Sequence, residues 1–472
     1  YASGINPVGS ERTAEAALGR GYRALKLKIG FDLEDARLNL TGELPPLRDV
    51  YGRFDMLGER VDVDIRSAGS FFPSGRMVNL DRGKLVLQDA YEKPLMADLE
   101  LDVSGAADAV AELVSFKPIE ALRTVDFKAD DFAGKVRGKA KIRLGLVPDQ
   151  RPPTPSWTAE VDLDDVDVAK PFDGRRISDV TGKLLVDVDK AKLDAEALID
   201  DVPMEVELTE PVRKGEGEVA RERVVTATLD NATREKLVPG LGEIVNGPMK
   251  LELRRLDETR QAVSVDLRSA TLTIPWVGWS KGQGIGAKAT FELSKNGEQS
   301  LIEKFELDGD GFGAIGDLSA DDRGLVAANL SRVRLSPEDD VALTVRLTKG
   351  VYSVVANGRA FDARSLLSTL QNPSSDGETA KSSTSLRIEG RFERVLGFGG
   401  EQLSGVSIIY GAGKGRVNAV DFSGVTGSGQ ALVAKLRQPE GLRELSVTTS
   451  DAGAVLRFLD TYKRLGGGLA NL

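Results

Sequence analysis

From about residue 50 onward, apolar residues recur at every second position, and this alternation constrains the chain more than any other feature. In "LMADLELDV" the positions Leu95, Ala97, Leu99, Leu101 and Val103 are apolar, while Asp98, Glu100 and Asp102 are acidic. In "KVRGKAKIRLGL" the positions Val136, Ala140, Ile142, Leu144 and Leu146 fall on one side, and Lys135, Arg137, Lys139, Lys141 and Arg143 on the other. Successive side chains of a strand point to opposite faces, so a period of two gives each strand one dry face and one wet face. The same alternation returns in "WTAEVDL", "MEVEL", "KLELR", "VSVDL", "KATFEL", "VALTVRL" and "SLRIEGRF". Val265 and Leu267 are two of the three apolar positions of the "VSVDL" run. A dozen or more such segments, separated by Gly, Asp and Asn turns, predict a mainly β, antiparallel fold. Alternation alone leaves two architectures open: a sandwich or barrel whose dry faces meet, or an open curved sheet whose dry face stays available.

Composition narrows the chemistry. The 472 residues include neither Cys nor His. That excludes disulfides, thiolate or imidazole metal sites, cysteine nucleophiles and triads built on histidine. A net charge of −10 argues against a nucleic-acid partner, which needs a basic patch to neutralise phosphates. Aromatics make up only 6% of the chain, so the dry face is lined mainly by Val, Leu, Ala and Ile. Neither a cofactor nor a metal is expected, and the chain is not expected to be an enzyme. No run of 18 apolar residues suggests a membrane-spanning helix. A chain that begins at Tyr1 is expected to be a piece of a longer protein.

Residues 1–41 follow a different pattern. "YASGINP", "SERTAEAALGRGY" and "ALKLKIG" predict strand, helix and parallel strand, with Ser10 as the helix cap and Gly21 as its stop. Two domains are therefore expected, 1–41 and 42–472. Short helical plugs are predicted at 362–370 and at 451–465, the second capped by Asp451 with an apolar stripe of Ala454, Val455, Phe458, Leu459 and Tyr462. Loops are predicted at 147–156, 209–223 and 371–385.

The long β region resembles the AsmA-like proteins of Gram-negative envelopes, in particular the YhdP-type branch, relatives of TamB. The resemblance is carried by "LTIPWVGWSKGQG" (272–284), "YSVVANGRAFDARSLL" (352–367) and "SVTTSDAGAVLRFLDTYKRLGGG" (446–468), and extends over about residues 45–472. It implies a long curved antiparallel sheet, a β-groove or taco-like trough, whose apolar interior passes phospholipid acyl chains between inner and outer membranes, as in bridge-like lipid transfer proteins. It also implies a periplasmic body with components at both membranes as partners, tethered in the parent protein by an N-terminal inner-membrane helix. Residues expected to line the groove are Leu99, Leu101, Val103, Val136, Ala140, Ile142, Leu144, Val265 and Leu267.

Residues 1–41 resemble the start of a mandelate racemase or muconate lactonizing barrel of the enolase superfamily, with the K-x-K pair at Lys26 and Lys28. The resemblance implies a proton-abstracting role for Lys28 beside a Mg²⁺ ion. The acidic ligands of that ion are not found in the later sequence, so the two lysines are expected only as a remnant or as solvated strand residues. Three function classes follow: a lipid-handling groove, a structural or interaction module of the envelope with the same sheet but no lipid path, and an enolase-type racemase or cycloisomerase. The acidic run "EVDLDDVDV" (160–168) lacks the glycine and terminal Glu of a calcium loop, and reads as the wet face of a strand. "GFGGEQLSG", "GAGKG" and "GSGQ" lack phosphate-loop spacing and read as sheet turns. Trp276 and Trp279 fit either a groove rim or ordinary packing.

Overall fold

The computed structural model describes residues 28–471 except 41–42, 118, 120, 123–126, 173, 213–218, 238–240, 275–276, 298, 372–384, 414–415, 438–443, 463, 465–466 and 469. The chain divides into two compact units, Tyr1–Val225 and Thr226–Leu472. The uniform alternation of the sequence carries no mark of this division, since the period is the same on both sides of it.

The first unit is an antiparallel meander. Its strands are β1 (Lys28–Leu38), β2 (Leu47–Leu57), β3 (Arg60–Phe71), β4 (Met77–Leu87) and β5 (Met96–Ala106). After helix α1 (Ala107–Ser115) follow β6 (Phe132–Gly145), β7 (Ser156–Phe172), β8 (Arg175–Asp187), β9 (Lys190–Ile199) and β10 (Val202–Pro211). Each strand pairs with the next in sequence. The expected parallel strand at 24–30 starts outside the described residues. The strand observed begins at Lys28 and pairs antiparallel with β2, so a boundary at residue 41 falls between two hydrogen-bonded strands.

The second unit begins within β11 (Glu222–Leu229), which runs across the division, and continues with helix α2 (Asn231–Leu237). A small sheet joins β12 (Val245–Asn246) to β15 (Thr271–Ile274) and β16 (Trp279–Lys281). The main ladder takes β13 (Met249–Arg255), β14 (Arg260–Asp266), β17 (Ala287–Asn296), β18 (Gln299–Gly309), β19 (Phe312–Asp321) and β20 (Gly324–Arg334). It continues through β21 (Asp340–Thr348), β22 (Val351–Asp362), helix α3 (Arg364–Gln371), β23 (Ser385–Leu396), β24 (Gln402–Gly413) and β25 (Arg416–Thr426). It ends with β26 (Ala431–Arg437), β27 (Glu444–Thr449), helix α4 (Ala452–Phe458) and β28 (Ala470–Asn471). The pairings of this ladder are antiparallel except β22–β23, which is parallel because the connection through α3 returns the chain to the end from which β22 started. The class is mainly β, and among the described residues the ladder stays open and no closed barrel forms.

A short motif bends the strands. Leu33-Glu34-Asp35-Ala36, Leu47-Arg48-Asp49-Val50, Leu163-Asp164-Asp165-Val166 and Ile177-Ser178-Asp179-Val180 each place an aspartate at positive φ, between 48° and 53°. The ladder register shifts at each site, so these are β-bulges. Lys304 in Ile302–Phe305 and Gly405 in Leu403–Val406 repeat the arrangement in the second unit. The extra residue lets both flanking apolar side chains stay on the same face, three positions apart instead of two. Asp tolerates the left-handed conformation better than most residues, and glycine better still. Bulges kink a strand and raise its twist, so strands carrying one at mid-length curve. Neighbouring side chains satisfy the bulged amides: Asp165 N–H donates to Thr181 Oγ1 at 3.2 Å, Asp179 N–H to Asp167 Oδ1 at 3.0 Å, and Lys304 N–H to Asp317 Oδ1 at 2.9 Å.

Candidate functional site: an apolar sheet face

In an antiparallel ladder, directly opposed residues share a face, so register turns the alternation of single strands into rows. One row of the first unit runs Phe31, Phe54, Val63, Leu85, Leu99, Ile142, Trp157. The next runs Leu33, Gly52, Ile65, Gly83, Leu101, Ala140, Ala159, Val186, Ala191 and ends on Glu210. A third joins Leu80, Val103, Gly138, Val161, Leu184, Leu193 and Leu208. The apolar face is thus continuous over the strands of this unit. Apart from α1 against β4–β6, the broad contacts of the strands are with their ladder neighbours, so among the described residues no second sheet covers this face. Its side chains are mostly half-buried, shielded by one another and by the curvature of the sheet.

The opposite face is ionic and fixes the register. Arg143 pairs with Asp98 at 3.3 Å and Lys141 with Glu100 at 3.8 Å, while Lys139 stands between Asp102 and Glu160. β6 thus presents a basic row between the acidic rows of β5 and β7, and Lys135, Arg137, Lys139, Lys141 and Arg143 are all exposed. A slip by one residue would bring these charges onto the apolar face.

Of the residues expected to line a groove, Leu99, Leu101 and Val103 on β5 and Val136, Ala140, Ile142 and Leu144 on β6 do share one face. Leu99 opposes Ile142, Leu101 opposes Ala140, and Ala97 opposes Leu144. Val136 lies under the base of α1 in a cluster with Ala107 and Val166, so it is covered at the edge of the face. In the second unit, Val265 shares a face with Leu251 and Ala289. Leu267 lies beyond the end of β14 at a buried corner. Its carbonyl and those of Arg268 and Ala270 accept bonds from Lys281 Nζ at 2.5, 3.2 and 2.7 Å. Burial pushes the Lys281 ammonium below its ordinary pKa, opposed by the charge of Asp266.

The second unit has its own continuous rows. One joins Leu293, Ile302, Leu318, Ala328, Val345, Val354, Ile388, Tyr410 and Val420. Helices α3 and α4 cover one end of this face. Ala363, Leu367, Val455 and Phe458 pack with Val395, Leu403, Val406 and Leu432. Two of the motifs quoted above build this end. Asp451 caps α4 by accepting from Ala454 N–H at 3.0 Å, and takes a bond from Ser428 Oγ at 2.5 Å. These two donors hold its carboxyl below the usual range. The Asp362–Arg364 pair, at 2.5 Å, closes the turn into α3, and the buried Asp339 accepts from Asp362 N–H at 2.7 Å. These motifs hold corners of the sheet together. The apolar stripe of α4 stops short of expectation: the helix ends at Phe458, Asp460 takes positive φ, and Tyr462 is exposed.

Lys26 lies outside the described residues. Lys28 is exposed on β1 opposite Leu57. No group of three or more acidic side chains that could hold a metal occurs among the described residues. The acidic run at 160–168 is a wet strand face whose Asp165 forms a bulge. The glycines of "GFGGEQLSG" and "GSGQ" lie at the β23–β24 and β25–β26 turns, and in β24 where Gly405 makes its bulge. Residues 414–415 of "GAGKG" are outside the described residues. So is Trp276, whereas Trp279 is half-buried, donates to Leu335 O at 2.8 Å and meets Phe312 edge-on. No helix of the described residues is long and apolar enough to cross a membrane.

Neither a protein-family model nor a curated protein matches the chain.

Proposed function

We propose that this chain is a segment of an AsmA-like envelope protein that offers an apolar β-groove to phospholipid acyl chains passing between the inner and outer membranes. The observation that carries this reading is the continuity of the apolar face in the first unit, row after row across its strands and with no second sheet over it among the described residues, backed by a largely charged and polar opposite face. Mostly aliphatic side chains line the rows, with small residues Gly83, Ala140 and Ala159 between larger ones, which leaves room for a flexible hydrocarbon chain. Each CH₂ moved there from water contributes about 0.8 kcal/mol, spread over many side chains and dependent on no single one. The groove needs no cofactor and performs no covalent step. A periplasmic setting and partners at both membranes belong to the same proposal.

Native mass spectrometry of the purified chain tests it. Phospholipid carried through purification and displaced by competing lipid supports the groove. A chain that stays lipid-free after incubation with phospholipid vesicles supports a structural or interaction module of the envelope instead.

A further inference from the structure

The apolar row that ends on Glu210 brings a carboxylate to the edge of the dry face of the first unit. Glu210 lies where β10 meets the start of β9, opposite Ala191. Its two oxygens take Arg221 and Arg223, each at 3.3 Å. Arg223, only 18% exposed, also lays its guanidinium over the ring of Phe172, 4.7 Å from the centroid. Phe172 belongs to the other end of the strands. It opposes Arg175, and the same end continues through Ile177, Ile199 and Val202. Val202 and Glu210 are eight residues apart on one strand, about 26 Å at strand spacing. A single arginine can touch both ends only because the strands curve and the β7–β8 tip returns toward the far edge. The ring it touches is the last of a series, Phe132, Phe127 and Phe172, with successive centroids 5.6 and 6.1 Å apart.

We infer that Arg223 is a clasp that joins the two edges of the first unit's apolar face, with the Phe132–Phe127–Phe172 series as its wall and Glu210 as its anchor, and that its opening sets lateral access to the face. An ion pair to Glu210 aims the guanidinium, and the ring supplies the contact across the gap, a cation–π geometry that Lys fulfils less well. Contacts of this class correspond to roughly a five- to thirtyfold change in an open-to-closed ratio. The access statement rests on the proposed lipid groove, whereas the closure itself does not.

The chain has no cysteine, so a pair introduced at the exposed Arg175 and Lys190 takes two spin labels, one at each edge. Pulsed dipolar spectroscopy on the full chain reads the distance between edges. The clasp predicts one short population in the parent, a longer and broader one in Arg223→Ala and in Phe172→Leu, and an intermediate one in Arg223→Lys. An unchanged distribution in Phe172→Leu and Arg223→Lys, both mild enough to keep the fold as checked by circular dichroism, overturns it. A fluorescent fatty acid added to the same variants reads access: entry faster by roughly the factor above supports the gate. A lengthened distance with no fatty-acid uptake by any variant keeps the clasp and removes the lipid groove.

Discussion

Single residues carry the curvature of the strands, and the aspartates at positive φ are the clearest case. At Asp165 and Asp179, replacement by Gly should be neutral or slightly stabilising, while Val should cost about 1–2 kcal/mol, because a β-branched side chain fits the left-handed region poorly. Urea unfolding of the four variants checks this, and a Val variant as stable as the Gly variant would contradict it. Alternation was legible from the chain, but the bulges were not. Leu163 and Val166 are three apart, which reads as a slip in period until the aspartate between them is known to be left-handed. Lys281 was equally opaque, since a lysine on a short strand beside Trp279 looks solvated; only the corner formed by Leu267, Arg268 and Ala270 shows three carbonyls waiting for it. Asp451, by contrast, announced itself as a helix cap. Its carboxyl titrates below the ordinary range in the folded chain, so its contribution is present above the unfolded value and is lost as pH falls through the lowered folded value. Asp451→Ala should therefore be less stable than the parent near neutral pH, by about 1 kcal/mol, with the gap narrowing in strong acid.

Elements are set by how their ends are finished. Helices α3 and α4 were foreseeable from Asp362 and Asp451, whereas α1 was not, because Ala106 offers it no capping side chain. What holds α1 instead is Arg76 from the β3–β4 turn, which bonds Asp108 at 2.7 Å, Glu112 at 2.8 Å and also Asp130. Those carboxylates, Glu112 foremost, keep the guanidinium well above its ordinary pKa. α2 was missed for its brevity, although Asp230 accepts from Thr233 N–H at 2.8 Å as a cap would. The parallel β22–β23 pair had no signal in the alternation, which fixes faces and leaves strand direction open. The charge rows of β5, β6 and β7 were legible, and they give an element-scale test. Lys139→Glu places a third acid between Asp102 and Glu160 and should cost about 0.5–1 kcal/mol, a loss that shrinks in high salt. A loss that salt leaves untouched would mean these charges do not hold the register.

For the whole chain, the division expected at residue 41 falls between two hydrogen-bonded strands, β1 and β2. Val50 is fully buried against Leu33, Ala36 and Leu38, so removing residues 1–41 strips β2 of its partner and should destabilise the first unit by on the order of 3 kcal/mol of lost burial, read as a lower melting temperature. Removal of residues 1–27 alone keeps every residue of that cluster in the chain, and comparing the two truncations separates the contribution of β1 from that of the segment before it. Rows of apolar side chains were legible once strands were placed in sequence order, because a meander leaves register as the only unknown. Accessibility of the face was not legible, since the same rows would build a sandwich. The central claim, a lipid-bearing apolar face, is tested most directly by photocrosslinking in the presence of phospholipid. Crosslinkers at Leu101 and Ile142, on the dry face, should capture lipid, while those at Asp102 and Arg143, one residue away on the wet face, should not. Equal capture by both pairs, or by neither, would contradict the groove.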